Sequence, residues 1–529
     1  MSLLYNFIIF IGLIIFSTAI MMLPQLWLKD NFHYFPLFGV IQLFLKYGIF
    51  LPKMYFYSTI LGLVSGTVTF SWFFNINPEG KGIYGKAKWA GLFDILKSKR
   101  ISFKGGLILG RKYGKFIFTN DKENLSMIVF APTRTGKTSG FIISSLFTSR
   151  NSMVIHDPKG EIWEKTKDQR SKFSNILKFE PASFDSNCVF NVFCKTMLPD
   201  DKRFLKEYIK NACEIIVPTP LNDTGNTIFF NDRGKQLINV LASYLIYKNG
   251  ETSLPEIRKH FLSKDSYQVF WDIYNEDDLP DHIKENCRDV LNNSTSPEQW
   301  SGVISVAGKA LGLYESDTVI KATKGKCDFS GELLRKSSLP LTVYIIIPDE
   351  DRIRLAPLVS LIFERISSNL MSSKPEPSDH KITFIIDEFP RLGKIIPLIE
   401  LPSLSGGYGL NSIFIAQNIR QLYHIYGKDL SHVLASNCEY KIILKQNDLE
   451  TARELSQMIG KTTVKKISKS IGSRNTINES KEGVDLVTPQ DIMSLNRKKC
   501  IILFDEYRKP LKARIPFWYK NKRLVTWLD

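Results

Sequence analysis

Two short stretches carry residue types suited to phosphate chemistry. The first, Ala131-Pro132-Thr133-Arg134-Thr135-Gly136-Lys137-Thr138, follows the apolar run Ser126–Phe130 and precedes a helical pattern reaching Phe147. It matches the G-x-x-x-x-G-K-[ST] phosphate loop except that Ala131 stands at the first glycine. A turn of this kind at a helix N-terminus aims backbone N–H groups at an anion, and the helix dipole favours the negative charge. Lys137 would reach the β- and γ-phosphates, and the Thr138 hydroxyl would complete a Mg²⁺ shell. Gly136 falls where the backbone must approach the nucleotide closely. The competing account is a Gly-Lys-Thr tripeptide in an ordinary strand–turn–helix.

The second stretch is the apolar run Thr383–Ile386, which ends in Asp387-Glu388. Asp387 would hold Mg²⁺ through water, and Glu388 would polarise the attacking water as general base, as in a Walker B strand. Alone, two acids at a strand exit are equally a helix cap; paired with the phosphate loop they read as its partners. A further strand end, Asp157-Pro158-Lys159-Gly160-Glu161, directly follows the phosphate-loop helix, so it should sit beside the phosphate-loop strand or one strand away. Asp157 or Glu161 could position water or metal or couple the site to a neighbour, and the same residues could be a plain turn. Gln417, after Ala416, could orient water beside a γ-phosphate or merely cap a strand. Arg391 and Arg420 are candidates for an arginine finger acting in trans, or solvent-exposed side chains.

The elements that must position these groups are legible as a pattern. Apolar runs of strand length at Ser126–Phe130, Ser152–His156, Leu341–Ile347, Ile382–Ile386, Ser412–Ala416 and Tyr440–Leu444 alternate with helical periodicity. That alternation predicts an α/β fold with a mainly parallel sheet. Between about residues 200 and 330 strand-like runs give way to helical stretches at Arg203–Ile216, Gly234–Tyr247 and Ser266–Tyr274, read as an all-α domain inserted into the α/β one. Cys500–Trp518 reads as two strands around a polar turn that close the sheet.

At the front of the chain, residues 3–23 and 55–74 are uncharged, each about the 20 residues needed to cross a bilayer as a helix. No Lys or Arg precedes the first run, and it continues past the small residues where a signal peptide would be cut, which favours an uncleaved helix. Lys81, Lys86, Lys88, Lys97, Lys99, Arg100 and Lys104 follow the second run, so this flank should be cytoplasmic and the pair a hairpin anchor. The apolar piece 38–51 carries Lys46 and reads as interfacial. The expected division is an anchor at 1–75, a nucleotide-binding domain at 76–199 and 331–529, and the helical insert at 200–330.

Composition narrows the partner class. The 529-residue chain carries a formal charge of +17, which favours an anionic partner: nucleic acid, acidic lipid, or both. Its 7 cysteines are scattered without a Cys-x-x-Cys, so neither zinc ribbon nor disulfide framework is indicated. The stretch 461–474 (KTTVKKISKSIGSR) could bind phosphates but reads more simply as a solvated loop. No zinc finger, helix-turn-helix or RNP signature is present, so DNA, if bound, should be held by its backbone without sequence preference.

These blocks together resemble the coupling proteins of bacterial type IV secretion systems, the TraG/TraD-like conjugative ATPases. The resemblance is carried by YGKAKWA at 84–90, APTRTGKT at 131–138, DPKGE at 157–161, IIDEFPRLGKI at 385–395, GGYGLNSIFIAQNIRQLYHIYG at 406–427 and SNCEYKIILKQNDLETARELSQMIGKTTV at 436–464. It implies a RecA-like P-loop NTPase domain with a small all-α insertion behind a transmembrane hairpin, an ATP and Mg²⁺ site between subunits, and a homo-hexamer in the bacterial inner membrane with its ATPase domain in the cytoplasm. It also implies delivery of relaxase-linked single-stranded DNA, effector proteins or both to a type IV secretion channel, and it raises Asp157, Glu161 and Gln417 to functional elements. The chain ends at Asp529, lacking the long acidic tail that some members use for recruitment. The rival readings are a docking receptor that binds nucleotide without mechanical work and a chromosome-segregation DNA translocase.

Overall fold

The computed structural model describes residues 84–120, 125–218, 225–292, 296–470, 476–504 and 509–528. These belong to one compact unit beginning at Tyr84. The expected spans at 3–23 and 55–74 and the apolar piece 38–51 lie outside them. Among the described residues no helix is long and apolar enough to cross a membrane.

The described residues form fourteen strands: β1 Ile101–Ser102, β2 Ile108–Lys112, β3 Lys115–Thr119, β4 Met127–Phe130, β5 Ser152–His156, β6 Asn175–Phe179, β7 Leu341–Ile345, β8 Ile382–Ile386, β9 Leu410–Ala416, β10 Tyr440–Ile443, β11 Lys461–Ser470, β12 Thr476–Asp485, β13 Lys499–Phe504 and β14 Leu511–Arg514. Twelve make one sheet in the order β1-β3-β2-β14-β13-β10-β4-β9-β8-β5-β7-β6. From β10 to β6 every pairing is parallel. The two strands expected after Cys500 are β13 and β14, which add antiparallel beyond β10; they do not close the sheet, because β2, β3 and β1 extend that edge.

The central strands are apolar on both sides because both faces of the sheet are covered. Ile128 and Phe130 of β4 and Val154 of β5 point into one core, while Met127, Val129, Met153 and Ile155 point into the other. This is the period-two alternation of a strand. Between β6 and β7 the described residues hold no strand. Helices at Leu205–Ile216, Gly225–Asn249, Leu254–Phe261, Ser266–Tyr274, Asp281–Asn292, Pro297–Gly312 and Asp317–Thr323 run there in succession. Leu205–Ile216 buries Ile209, Ala212, Cys213 and Ile216, the one-sided spacing of an amphipathic helix. Leu254–Phe261 is started by Ser253, whose hydroxyl accepts from the Glu256 N–H at 3.4 Å.

Two expectations change. The strand leading to Asp157 is β5, and both β9 and β8 stand between it and β4, so it lies farther from the phosphate-loop strand than chain order suggested. The sheet admits the Gln417 and Asp387 strands into that gap, although they come more than 200 residues later in the chain. The basic stretch after Lys461 is a hairpin arm rather than a loop, with β11 and β12 pairing from Lys461↔Asp485 to Ser470↔Thr476. Its lysines hid the β-branched Thr462, Thr463 and Val464, which suit an extended backbone.

Candidate nucleotide-binding site

The site lies at the carboxyl ends of β4, β9, β8 and β5, where an open parallel sheet exposes its loops. Residue 131 continues the ladder of β4, its N–H donating to the Ala416 carbonyl at 2.9 Å. It is fully buried and its backbone is not left-handed. Ala131 therefore satisfies the first position of the loop without strain. The turn itself uses left-handed backbone at Arg134 (φ 60°) and Gly136 (φ 88°), and the Thr135 hydroxyl closes it by donating to the Pro132 carbonyl at 2.6 Å. Gly136 is constrained twice, since an added Cβ would also fall 2.3 Å from Cε1 of Phe517.

After the loop, residues Thr138–Ile142 take a π-helical turn that continues as the α-helix Ile143–Thr148. The segment after β14 crosses this helix. Ser144 Oγ donates to the Pro516 carbonyl at 2.8 Å, and a Cβ on Gly140 would meet Ile515 at 2.4 Å. The phosphate loop is thus braced by the end of the chain, a contact no local pattern announces.

The two separately read motifs meet. Lys137 Nζ lies 3.1 Å from Asp387 Oδ1 and 3.3 Å from Glu388 Oε1. Thr138 Oγ1 donates to Asp387 Oδ2 at 3.1 Å. Lys137, Asp387 and Glu388 are all buried, so their charges interact in a medium that screens weakly. Glu388 adopts a left-handed conformation (φ 53°, ψ 44°), uncommon for a side chain with a Cβ and costing roughly 1–3 kcal/mol. Its N–H donates to Asp387 Oδ1 at 2.9 Å. Strain of this kind is held only where surrounding contacts fix it, and here it turns Glu388 back towards the phosphate loop.

Three side chains adjoin the acids. His156, at the end of β5, is fully buried with Nδ1 2.8 Å from the Asp387 carbonyl oxygen. A carbonyl only accepts, so Nδ1 carries the proton. Burial lowers the imidazole pKa, keeping the ring neutral. Asp157 is buried beside it and accepts from the Trp163 N–H at 2.8 Å. Desolvation, with the Asp387 charge adding to it, pushes its carboxyl up to about 6 against the backbone N–H groups that stabilise the anion. Arg391 lies in the short 3₁₀ turn Phe389–Leu392, with its Nε 2.8 Å from Glu388 Oε2 and its Nη1 2.7 Å from both oxygens of Asp349. Glu388 Oε2 has this charge contact without an aligned hydrogen bond.

The other sequence candidates lie around this cluster. Gln417 follows Ala416, which pairs with Phe130, so it sits between the phosphate loop and the acid pair by register. Among the described interactions it makes no bond to Lys137, Asp387 or Glu388. Glu161 starts the helix Glu161–Arg170 with its side chain exposed, away from the acids. Arg420 is exposed and pairs with Glu450 at 3.1 Å and Asp448 at 3.7 Å. Both arginine candidates line one cleft of about 810 Å³ with Asp349, Arg352, Asn418 and Asp448. Sequence reasoning missed His156 and Phe517, and also Gln446, whose buried Nε2 donates to the carbonyl of Phe130 at 2.9 Å just before the loop. His156 adjoins DPKGE and was within reach of a local reading; the other two act only through tertiary contact.

Against known families, residues 88–528 match the family described as type IV secretory system conjugative DNA transfer. The chain belongs to that family. Among curated relatives of this conjugative DNA-transfer protein, conjugal transfer protein TraG of Escherichia coli is 27% identical over 79% of this chain and 70% of its own length. Protein VirD4 of Rhizobium radiobacter is 27% identical over 83% of this chain and 64% of its own length. The conjugative fold is shared with the solved plasmid coupling protein TrwB in complex with the non-hydrolysable ATP analogue ADPNP, at a TM-score of 0.62 and 18% identity over 83% of this chain and 95% of that one. A second TrwB structure, in complex with ADP and Mg²⁺, aligns at 0.60.

Proposed function

We propose that this family member is a membrane-anchored ATPase that couples ATP hydrolysis to substrate delivery into a type IV secretion channel. The observation that carries the reading is the bonded cluster of Lys137, Thr138, Asp387 and Glu388 beyond the ends of the parallel strands β4 and β8, which β9 separates. It gathers one cation, one hydroxyl and two acids, the groups a nucleoside triphosphate and its metal require. TrwB, similar in fold, has been solved with ADP and Mg²⁺ and with an ATP analogue, which supports ATP and Mg²⁺ as the ligands here.

In this reading Lys137 exchanges its two carboxylates for β- and γ-phosphate oxygens. That exchange frees Asp387 and Glu388 for their own work. The hydroxyl of Thr138 and the carboxylate of Asp387, 3.1 Å apart, form an all-oxygen pair of the hardness Mg²⁺ prefers. Mg²⁺, when bound, neutralises charge on the transferring phosphate. Glu388 accepts the proton of the attacking water, and Gln417 orients that water. His156 fixes the acid strand from the side, and Asp157 and exposed Glu161 couple the site to a neighbouring subunit.

The remaining parts of the reading are architectural. Residues 1–75 form a hairpin anchor in the inner membrane, 76–199 with 331–529 the nucleotide-binding domain, and 200–330 the helical insert. The protein works as a homo-hexamer with nucleotide between subunits. Its cargo is relaxase-linked DNA, effector protein or both, with DNA gripped by backbone, as the +17 charge favours. The test is nucleotide binding by the full-length protein with and without Mg²⁺. Wild type should bind ATP analogue more tightly with the metal, and Thr138→Ala should lose that increment. Binding that Lys137→Ala leaves unchanged would refute the site.

A further inference from the structure

One surface is built with care and then left greasy. The six-residue helix Leu92–Lys97 is fastened from below. The Asp94 carboxylate accepts from the Gly91 N–H at 2.8 Å and pairs with Lys509 Nζ at 2.6 Å, while Ile95 is tucked into the core. The approach to it is pinned as well. Ala87 donates to the Lys461 carbonyl at 3.0 Å, Ala90 donates to the Pro510 carbonyl at 2.9 Å, and Lys512 sits over the Trp89 ring at 5.6 Å. Yet Leu92 is 47% exposed, Phe93 77% and Leu96 60%. Leu96 stands four residues after Leu92 and three after Phe93, so it lies beside both and the three side chains form one outward apolar patch. Exposed Lys86 and Lys88 precede this helix in the chain and exposed Lys97 and Lys99 end and follow it, with Trp89 and Tyr84 also exposed.

We propose that the Leu92/Phe93/Leu96 face, with the exposed lysines that flank it in the chain, rests on the anionic surface of the bilayer and holds the ATPase unit against the membrane. Large apolar side chains inserted at headgroup depth, with lysines reaching sideways to phosphate, are the composition of an interfacial helix. The one acid of the helix, Asp94, is turned away and paired with Lys509, so it does not oppose anionic lipid. Basic residues at such a surface are drawn to anionic headgroups, and the attraction fades beyond a Debye length. The docking rests on the crossing proposed at 55–74. That apolar run ends at Phe74, and the short stretch from there to Trp89 spans at most about 50 Å even when fully extended. The helix is therefore tethered near the headgroups at high effective concentration, where even weak docking is populated.

The test uses full-length protein in proteoliposomes of neutral or anionic lipid, with an environment-sensitive dye on Phe93→Cys. The 7 native cysteines are all buried, which leaves the introduced thiol selectively reactive. Leu262→Cys, exposed in the helical region, is the control. The dye at 93 should shift to shorter wavelength and be quenched by brominated acyl chains in anionic vesicles, less so in neutral ones, and not at 262. Adding Leu92→Ser and Leu96→Ser should abolish the quenching while basal ATP turnover in detergent is unchanged. A blue shift without quenching would assign the patch to a neighbouring copy and overturn the proposal. Alkaline extraction separates the two claims. Released protein would refute the crossing at 55–74, whereas retained protein with an unquenched dye would refute only the docking.

Discussion

Arg391 Nε lies 2.8 Å from Glu388 Oε2 within the same chain, and the same guanidinium holds both oxygens of Asp349. The arginine is therefore committed to its own subunit's proposed base and to an acid across the cleft. An arginine finger must instead point its charge at a phosphate held by another subunit.

Arg391 is thus expected to steer Glu388 in cis. An ion-pair contact from a partly exposed arginine is worth about 1 kcal/mol, so Arg391→Ala should lower steady-state kcat by roughly 5-fold. Loss of a trans-acting finger costs ~10³-fold or more. Turnover of the purified variant distinguishes the two, and a loss of the larger size would return Arg391 to the finger role.

The paired acids need Lys137 for stability as well as for chemistry. Removing one partner from a buried ionic cluster leaves uncompensated charge, at a cost of about 3–5 kcal/mol. Without nucleotide, Lys137→Ala should therefore unfold at lower temperature than wild type. Adding Glu388→Gln should restore part of the loss, because one orphaned charge goes with it. Calorimetry of both variants would show this non-additivity; purely additive shifts would contradict the coupling.

Asp157 supplies a pH dependence of definite sign. Its carboxyl is raised from 3.8 to about 6 by burial, so the folded state binds a proton that the unfolded chain has released. Stability from this group is present below pH 3.8 and is lost as pH rises through 6. At neutral pH the ionised, buried group costs about 3 kcal/mol at one pKa unit per 1.36 kcal/mol. Asp157→Asn should therefore raise the melting temperature at pH 8, with the gain shrinking towards pH 5. An equal gain at both values would contradict the assignment.

Gly136→Ala should destabilise the fold through two separable causes. The left-handed backbone costs roughly 1–3 kcal/mol in strain, and the new methyl meets the Phe517 ring. Phe517→Ala should relieve the contact but not the strain, so the double variant should recover only part of the loss. Denaturant unfolding of the three variants checks it.

How much of this was legible depended on whether a residue acts through its neighbours in the chain. The strands carrying Lys137, Asp387 and Gln417 are apolar runs buried on both faces, so their composition announces them, and their exits carry the chemical groups. Strand order was less accessible. Chain order put β5 near β4, yet β8 and β9 enter between them, because a parallel sheet is ordered by crossovers and not by succession. The clamp of Phe517 on Gly136 and the bond from Gln446 to Phe130 join residues that no periodicity links. The β11–β12 arm was concealed by its lysines, which read as solvated whether the backbone is loop or hairpin.

ATP hydrolysis through Glu388 should drive substrate delivery by this chain. The most direct measurement is ATP turnover by the full-length protein in nanodiscs with single-stranded DNA, duplex DNA or none, alongside Glu388→Gln. Turnover should be stimulated by DNA, fall as salt rises and vanish in the variant. Turnover that survives Glu388→Gln, or no turnover in a confirmed oligomer, would contradict it.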